Sequence, residues 1–516
     1  MKNTAIGLSL VVFIQAACFS VELTETKYNA YLHFLLGEIS IRQNDFSRAQ
    51  YELEQTIKLD RSAVNAYKDL IYIYLQSGKL EEARLLARTL KNLSDNANTK
   101  LFLGGYYVFA GDTASAVAQY EDVLKNDSDN SECLVILAGI YSETNPEKSI
   151  SYWDRYISLN PDSAEAYYRK SAVLRKLKRP EEAKSALEKA VEVQPSDLLS
   201  RITLADIYQN EENYARAAKE LDECTEFDKG NYSLYIRAGE LYTLAKDYDN
   251  AKKVFERALA QPQGNKNPIL YFWLALLYEN DKDWENARLY IEKSIELKPD
   301  TASFIKLGYY YTQMNSVEKA LKVLTKASSL DPKNAEVNFF LGLGYIDMGK
   351  TGKAEKCLLK AVNLNPEMAD AHYYLATLYE QSGKFKKALP HLRKVIELNP
   401  KNAVALNFLG YAMADRGINI DEAEGLIEKA LELDPGNAAY TDSLGWVYYK
   451  QGKYAEAKKE IEKASRDLKD PVITEHLGDV EKALGNTESA LKLYKRVLFL
   501  DPGNKVVKKK LKQLEK

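Results

Sequence analysis

Small and apolar residues return along this chain at fixed spacings. One series opens a short apolar run at Ala49, Ala83, Ala116, Ser149, Ala183, Ala217, Ala251, Ala287, Ala320, Ala354, Ala388, Ala423, Ala457 and Ala490. Its mean step is about 34 residues, a period that marks an array of short stacked units. A second series lies eleven to thirteen residues upstream and includes Gly37, Gly104, Ala138, Ala205, Gly239, Ala275, Gly308, Gly342, Ala376, Gly410, Gly445 and Gly478. A tyrosine follows many of these by three residues, as at Tyr107, Tyr141, Tyr208, Tyr242, Tyr278, Tyr311, Tyr345, Tyr379 and Tyr448. Proline closes a unit at Pro161, Pro195, Pro299, Pro332, Pro366, Pro400, Pro435 and Pro502.

A 34-residue period with small residue, tyrosine, alanine and proline in these slots resembles the tetratricopeptide repeat, and the resemblance runs from about residue 30 to 504. It implies an all-α solenoid, a right-handed superhelix of about fourteen antiparallel helix pairs. Each slot then has a physical reason. Small residues sit where the two helices cross, because close approach leaves no room for a larger side chain. Tyrosine fills the same layer with a large ring. Proline ends the second helix, since it lacks an amide donor and restricts the residue before it. One unit cannot bury its apolar face alone, so neighbours must stack.

The two halves of the array differ. Units one to seven, residues 30–265, carry the closing proline twice, and units eight to fourteen, residues 266–504, carry it six times. Residues 261–268 between them read Gln-Pro-Gln-Gly-Asn-Lys-Asn-Pro. Two readings stay open there, a hinge or a tolerated longer loop. Residues 505–516 are expected to form an amphipathic capping helix with Val506, Val507, Leu511 and Leu514. Six lysines lie there beside Glu515. A solvated face explains them, with a membrane or nucleic-acid contact as the alternative.

The chain begins with Met1-Lys2 and an apolar run from Ala5 to Ile14, followed by Gln15-Ala16-Ala17-Cys18. A short basic start, an apolar stretch of this length and small residues after it read as a secretory signal over residues 1–18. Residues 19–29 are then a linker. Small residues directly before Cys18 resemble the lipobox of bacterial lipoproteins, which implies lipidation at Cys18. Gln15 departs from that motif, where Leu is usual. Ordinary cleavage, leaving a soluble periplasmic or secreted protein, is the other reading. Export to the periplasm or outer membrane is expected either way.

Composition narrows function. There are 71 Lys plus Arg against 74 Asp plus Glu, a formal net charge of −3, which argues against nucleic acid as a partner. The 36 tyrosines stand out against 15 Phe and 4 Trp. Cys133, Cys224 and Cys357 show no paired spacing and fit no disulfide framework. His33, His372, His391 and His476 are dispersed, so no metal site is expected. No nucleophile elbow, phosphate loop, dinucleotide fingerprint or His-Glu-x-x-His motif occurs. The chain is expected to be no enzyme, with no cofactor and no small-molecule substrate.

Function then falls to the surface. In the tetratricopeptide family the first helix of each pair lines a concave groove that takes peptides or partner helices. The matching slots here are Phe272, Tyr309, Phe339, Tyr373, Tyr411, Asp442 and Trp446, joined by Asp415, Arg416 and Tyr449. Tyr309, Tyr411 and Trp446 are expected to face a ligand, and Tyr411 and Trp446 to be removable without loss of the fold. The stretch from Leu406 to Ala457 resembles bacterial tetratricopeptide lipoproteins of the cell envelope, among them an adaptor of a carboxyl-terminal processing protease. That resemblance implies an envelope adaptor whose partners are proteins or peptides, such as a protease or hydrolase, held at the membrane surface by its lipid. The alternatives are an assembly factor for a secretion or pilus apparatus, or an accessory subunit of a glycan-processing enzyme.

Overall fold

The structure is a computed structural model that describes residues 24–465 and 469–515. The expected signal segment, residues 1–18 with Cys18, lies outside the described residues. Among the described residues there are 29 α-helices and no strand. Fourteen consecutive pairs run from Glu25–Arg42 with Phe46–Leu59 to Pro471–Ala483 with Thr487–Leu500, and Lys505–Leu514 follows. The first helix of a pair is called helix A here, and the second helix B. The pairs fall into two compact units, one ending at Val254 and one beginning at Phe255. The boundary lies inside helix Tyr248–Ala260. Just beyond it, Gly264–Lys266 forms a single 3-10 turn. Gly264 is required there, because a β-carbon would stand 1.9 Å from the Ala258 carbonyl oxygen.

The turn from helix A to helix B uses one device almost throughout. In every pair but the fourth, the linking turn holds a residue in the left-handed region, such as Gly78, Gly111 and Gly349. The next amide then reaches back to the carbonyl of the slot tyrosine: Lys79 N–H to Tyr74 O at 2.8 Å, Asn213 N–H to Tyr208 O at 2.8 Å, Lys384 N–H to Tyr379 O at 2.8 Å. This closes the carbonyls that helix A leaves open. The fourth pair dispenses with it, because Pro146 opens helix B directly after the Asn145 cap.

Within each unit the helix crossings are tight. In the first, Gly104 lies under the Tyr120 ring, and a β-carbon there would approach Tyr120 Cζ to 2.6 Å. In the second, Gly410 lies against helix Ile420–Leu433. A β-carbon would meet Ile427 Cγ1 at 2.6 Å and the Ala423 carbonyl at 2.9 Å. The recurring alanines that open the apolar run, such as Ala183, Ala354 and Ala423, are fully buried beside these crossings.

The slot tyrosines add a contact that apolar packing does not require. Six of their hydroxyls donate to a carboxylate on helix B of the preceding pair. The bonds are Tyr74 to Glu54 at 2.8 Å, Tyr141 to Glu121 at 2.9 Å, Tyr208 to Glu188 at 2.8 Å and Tyr242 to Asp222 at 3.4 Å. In the second unit they are Tyr311 to Glu292 at 2.8 Å and Tyr379 to Glu355 at 3.0 Å. A cation from the tyrosine's own helix B covers many of the rings. Lys148 lies 4.3 Å from the Tyr141 centroid, Arg216 5.6 Å from Tyr208 and Lys387 5.4 Å from Tyr379. Burial, and then the Glu355 bond, pushes the Tyr379 hydroxyl up to about 12, so it remains a donor at neutral pH.

The crossing geometry predicts opposite outcomes for two glycines one helix apart. Gly410→Ala is expected to cost about 1–3 kcal/mol, because the new methyl presses on a backbone carbonyl as well as a side chain. Gly425 sits inside helix Ile420–Leu433 with nothing within 4 Å of a built β-carbon. Gly425→Ala is therefore expected to stabilise by about 0.5–1 kcal/mol. Urea melts of the two variants check the pair, and equal effects would contradict the crossing.

Candidate functional site

The expected groove residues fall on one face of successive A helices in the second unit. In helices Ala335–Asp347, Ala369–Gln381 and Ala403–Asp415 the rings touch in sequence. Phe339 lies 5.9 Å from Tyr374, Tyr374 5.8 Å from Tyr373, and Tyr373 6.0 Å from Phe408. Tyr309 packs edge-on against Trp284 at 5.9 Å. Phe272 belongs to the same local cluster around Ala287 and Leu307. Phe272, Tyr309 and Tyr373 are half-buried, while Tyr374 is exposed at 39%.

After helix Ala369–Gln381 the face changes character. The slot held by Phe272, Phe339 and Tyr373 passes to Asn407, Asp442 and His476 in the last three pairs. Two of these polar groups, Asp442 and His476, are tied together. His476 Nδ1–H donates to Asp442 Oδ2 at 2.8 Å, and Tyr411 OH lies 3.4 Å from His476 Nε2. Trp446 stacks on His476 at 4.1 Å on one face and on Tyr449 at 4.7 Å on the other. Its indole N–H donates to Asp415 Oδ1 at 3.3 Å, and Lys450 Nζ donates to the Asp415 carbonyl at 2.8 Å. Asn407 Oδ1 and Asp442 Oδ1 are buried with no hydrogen-bond partner among the described residues. Burial first, then the charges of Asp415, Asp442 and Glu475, hold the Tyr411 hydroxyl well above its ordinary range. It therefore stays a neutral donor toward His476.

This arrangement changes the expected roles of three residues. Phe339, Asp442 and Trp446 are buried, Asp442 to 4% and Trp446 to 7% exposure. Trp446 is a packing element that joins two pairs, so the expectation that it can be removed without loss of the fold is corrected. Truncating a buried Trp costs about 3–5 kcal/mol. Asp415 and Arg416 are exposed, and Tyr449 and Tyr411 half-buried. Arg416 pairs with Glu380 at 2.6 Å and stacks on Phe385 at 4.8 Å. The face remains open at Tyr373, Tyr374, Tyr411, Asp415, Arg416 and Tyr449.

Sequence reasoning missed His476, whose only signal was its position in the same slot as Asp442 one period earlier. It also treated the histidines as dispersed. The structure brings His372 and His391 together, Nδ1 to Nδ1, at 2.9 Å. His372 Nε2 lies 3.1 Å from the Pro366 carbonyl, which can only accept. The proton therefore sits on Nε2, His372 Nδ1 accepts, and His391 Nδ1–H donates. Cys133 and Cys224 are buried free thiols, and burial pushes Cys224 up to about 11. Among the described residues no three His, Cys, Asp or Glu side chains converge as metal ligands. No described helix is long and apolar enough to cross a membrane.

The histidine pair makes stability depend on pH. Burial lowers both pKa values, and for His391 the neighbouring His372 lowers it further. The unfolded chain takes up protons near the ordinary histidine value of about 6.5, and the folded pair only at lower pH. In that window the unfolded state binds more protons, so stability falls as pH drops from about 7 to about 5. Urea melts at the two pH values are expected to show a smaller loss in the double variant His372→Asn, His391→Asn. An undiminished loss in that variant would place the effect elsewhere.

Sequence profiles of the tetratricopeptide repeat match residues 34–97, 164–197, 200–231, 236–302, 302–334, 335–368, 369–402 and 443–505. A TPR repeat-containing protein of Pseudomonas aeruginosa is 40% identical over 77 residues, which is 15% of this chain and 13% of that protein. The anaphase-promoting complex subunit CDC16 of Saccharomyces cerevisiae is 22% identical over 362 residues, 61% of this chain and 43% of that protein. The chain thus spans less than half the length of either relative. Among solved structures, the Cut9–Hcn1 hetero-tetramer of the anaphase-promoting complex aligns over 96% of this chain and 97% of its own, with 16% identity and a TM-score of 0.39. MamA aligns over 31% of this chain and 95% of its own, with 28% identity and a TM-score of 0.29. The repeat profiles fall on the observed helix pairs in both units, and the chain belongs to the tetratricopeptide-repeat family.

Proposed function

We propose that this chain is a non-catalytic adaptor of the bacterial cell envelope, exported, anchored through Cys18 and binding partner proteins along its A-helix face. A tetratricopeptide array generally serves as a scaffold for protein–protein interaction. The observation that carries the finer reading is the continuous row of partly open rings and charges from Tyr373 and Tyr374 to Arg416 and Tyr449. Half-buried aromatics can accept a partner chain at little ordering cost, because their rings are already held by neighbours. The charges beside them, Asp415 and Arg416, are positioned by Lys450 and Glu380 and can set the register of a bound segment. Export and anchoring rest on the amino-terminal residues and the resemblance of residues 406–457 to envelope lipoproteins.

Photo-crosslinking in cells tests the face. A benzophenone side chain at Tyr374 or Tyr449 is expected to capture a protein partner, and the same group at Leu289, exposed on helix Trp284–Leu297, is not. Equal capture at all three positions would remove the A-helix face from the proposal. Anchoring has its own test. Mass spectrometry of the mature protein is expected to find acyl mass on an amino-terminal Cys18, and a mature chain starting at another residue would end that part of the reading.

A further inference from the structure

Many charges along this array are matched in place, although Lys319, Lys322 and Lys326 on helix Val317–Leu330 and Lys353, Lys356 and Lys360 on helix Thr351–Leu364 make no ion pair among the described residues. On helix Pro180–Val193 and its cap, Arg179 pairs with Glu182, Lys184 with Glu181 and Lys189 with Glu192. On helix Tyr454–Ala464, Lys463 pairs with Glu460 and Lys458 with Glu462. Helix Lys505–Leu514 carries more unmatched charge than helix Val317–Leu330 or helix Thr351–Leu364, in ten residues. Lys510 turns inward to Glu475 at 2.7 Å and Asp479 at 2.5 Å. Lys505, Lys508, Lys509 and Lys512 are exposed and have no carboxylate partner among the described residues. Their spacing of three, four and seven places all four on one stripe. Val507, Leu511 and Leu514 pack on the core from the opposite side. Like charges at these spacings repel and destabilise the helix, a cost that a bound anionic surface would offset.

Apolar exposure sits beside this stripe. Phe499, in the last turn of helix Thr487–Leu500, is 74% exposed. The equivalent positions of other B helices are polar at Lys58, Ser158, Glu192, Glu226, Ser329, Glu397 and Glu432, and small at Ala260. Val506, in the first turn of the following helix, is 60% exposed. Only the four-residue turn Asp501–Asn504 separates the two helices, so Phe499, Val506 and Lys505 lie at the same end of the hairpin. Arg496 covers one side of the Phe499 ring at 5.2 Å.

We propose that this carboxyl-terminal hairpin docks on an anionic lipid surface, with the lysine stripe meeting headgroup phosphates and Phe499 and Val506 entering the interface. Lysines in a row supply electrostatic attraction to a charged leaflet, and short apolar side chains beside them add insertion. A long nucleic acid suits the site less well. The net charge of the chain is −3, so these lysines are not part of a generally basic surface that would suit an extended polyanion. An aliphatic Val506 also offers nothing to a base stack. This contact is separate from the Cys18 anchor and from the A-helix face.

Co-sedimentation of the full chain with vesicles tests it, comparing phosphatidylcholine alone with phosphatidylcholine containing phosphatidylglycerol. Tighter binding to the anionic vesicles, weakened by added salt, is expected. Replacing Lys505, Lys508, Lys509 and Lys512 with Ala should lower that partition by about 100-fold or more. Replacing all four with Arg should keep it, and Phe499→Ser should lower it several-fold. Unchanged melting curves separate these effects from unfolding. No preference for anionic vesicles, or an alanine variant that binds as the wild type does, would overturn the proposal. Binding to a DNA duplex in place of vesicles would overturn it in favour of nucleic acid. Carrying Cys18→Ser in every variant removes any acyl chain, which would otherwise saturate binding to both vesicles.

Discussion

A bond from a tyrosine hydroxyl to a carboxylate one pair earlier ties neighbouring repeats together at six boundaries of the array. Inside a pair, helix A meets helix B mainly through apolar packing, which Phe could also supply in the tyrosine slot. Adjacent pairs need something that fixes register, because stacked apolar faces can slide. The Tyr208–Glu188 and Tyr311–Glu292 bonds each span a repeat boundary, and the tyrosine's backbone carbonyl closes the turn in its own pair. One residue therefore ends a helix, fills a layer and ties two repeats together. That triple use is shown by Tyr74, Tyr141, Tyr208, Tyr242, Tyr311 and Tyr379, and it explains why this slot favours tyrosine over phenylalanine.

The same logic shapes the A-helix face. Because the slot tyrosines turn toward the preceding helix B, the face that remains is built from other positions. In the middle of the second unit it is a row of touching rings. In the last three pairs it becomes a buried polar chain, Tyr411 to His476 to Asp442, with Trp446 clamped between His476 and Tyr449. A network of this kind rigidifies where it is satisfied, and Asn407 Oδ1 and Asp442 Oδ1 are where it is not. Rigidity behind the surface is what lets exposed Asp415 and Arg416 hold fixed positions.

Much of the fold was legible because each repeat obeys the same steric rule. Gly410 and Ala423 mark a crossing in any one unit, and fourteen copies make the reading secure. Local periodicity also placed the groove slots on one helix face. What it could not convey was pairing across a period. His372 and His391 lie nineteen residues apart on different helices, and His476 meets Asp442 across thirty-four. Exposure was equally hidden: Trp446 and Tyr449 are both aromatic residues of one helix, yet only the structure shows that one is sandwiched and the other borders solvent. The tyrosine hydroxyl was overlooked for a related reason, since a packing slot gives no hint that its polar tip has a partner in the preceding unit.

The most direct measurement is a double-mutant cycle on one inter-repeat bond, Tyr208→Phe with Glu188→Gln, followed by urea unfolding. Tyr208 lies in helix Leu198–Asn210 and Glu188 in helix Pro180–Val193, so the cycle isolates a contact between neighbouring pairs. A hydrogen bond to a charged acceptor predicts a coupling of about 1 kcal/mol or more between the two substitutions. Effects that add to within about 0.3 kcal/mol would mean that the hydroxyl does not join the repeats, and the tyrosines would revert to simple packing.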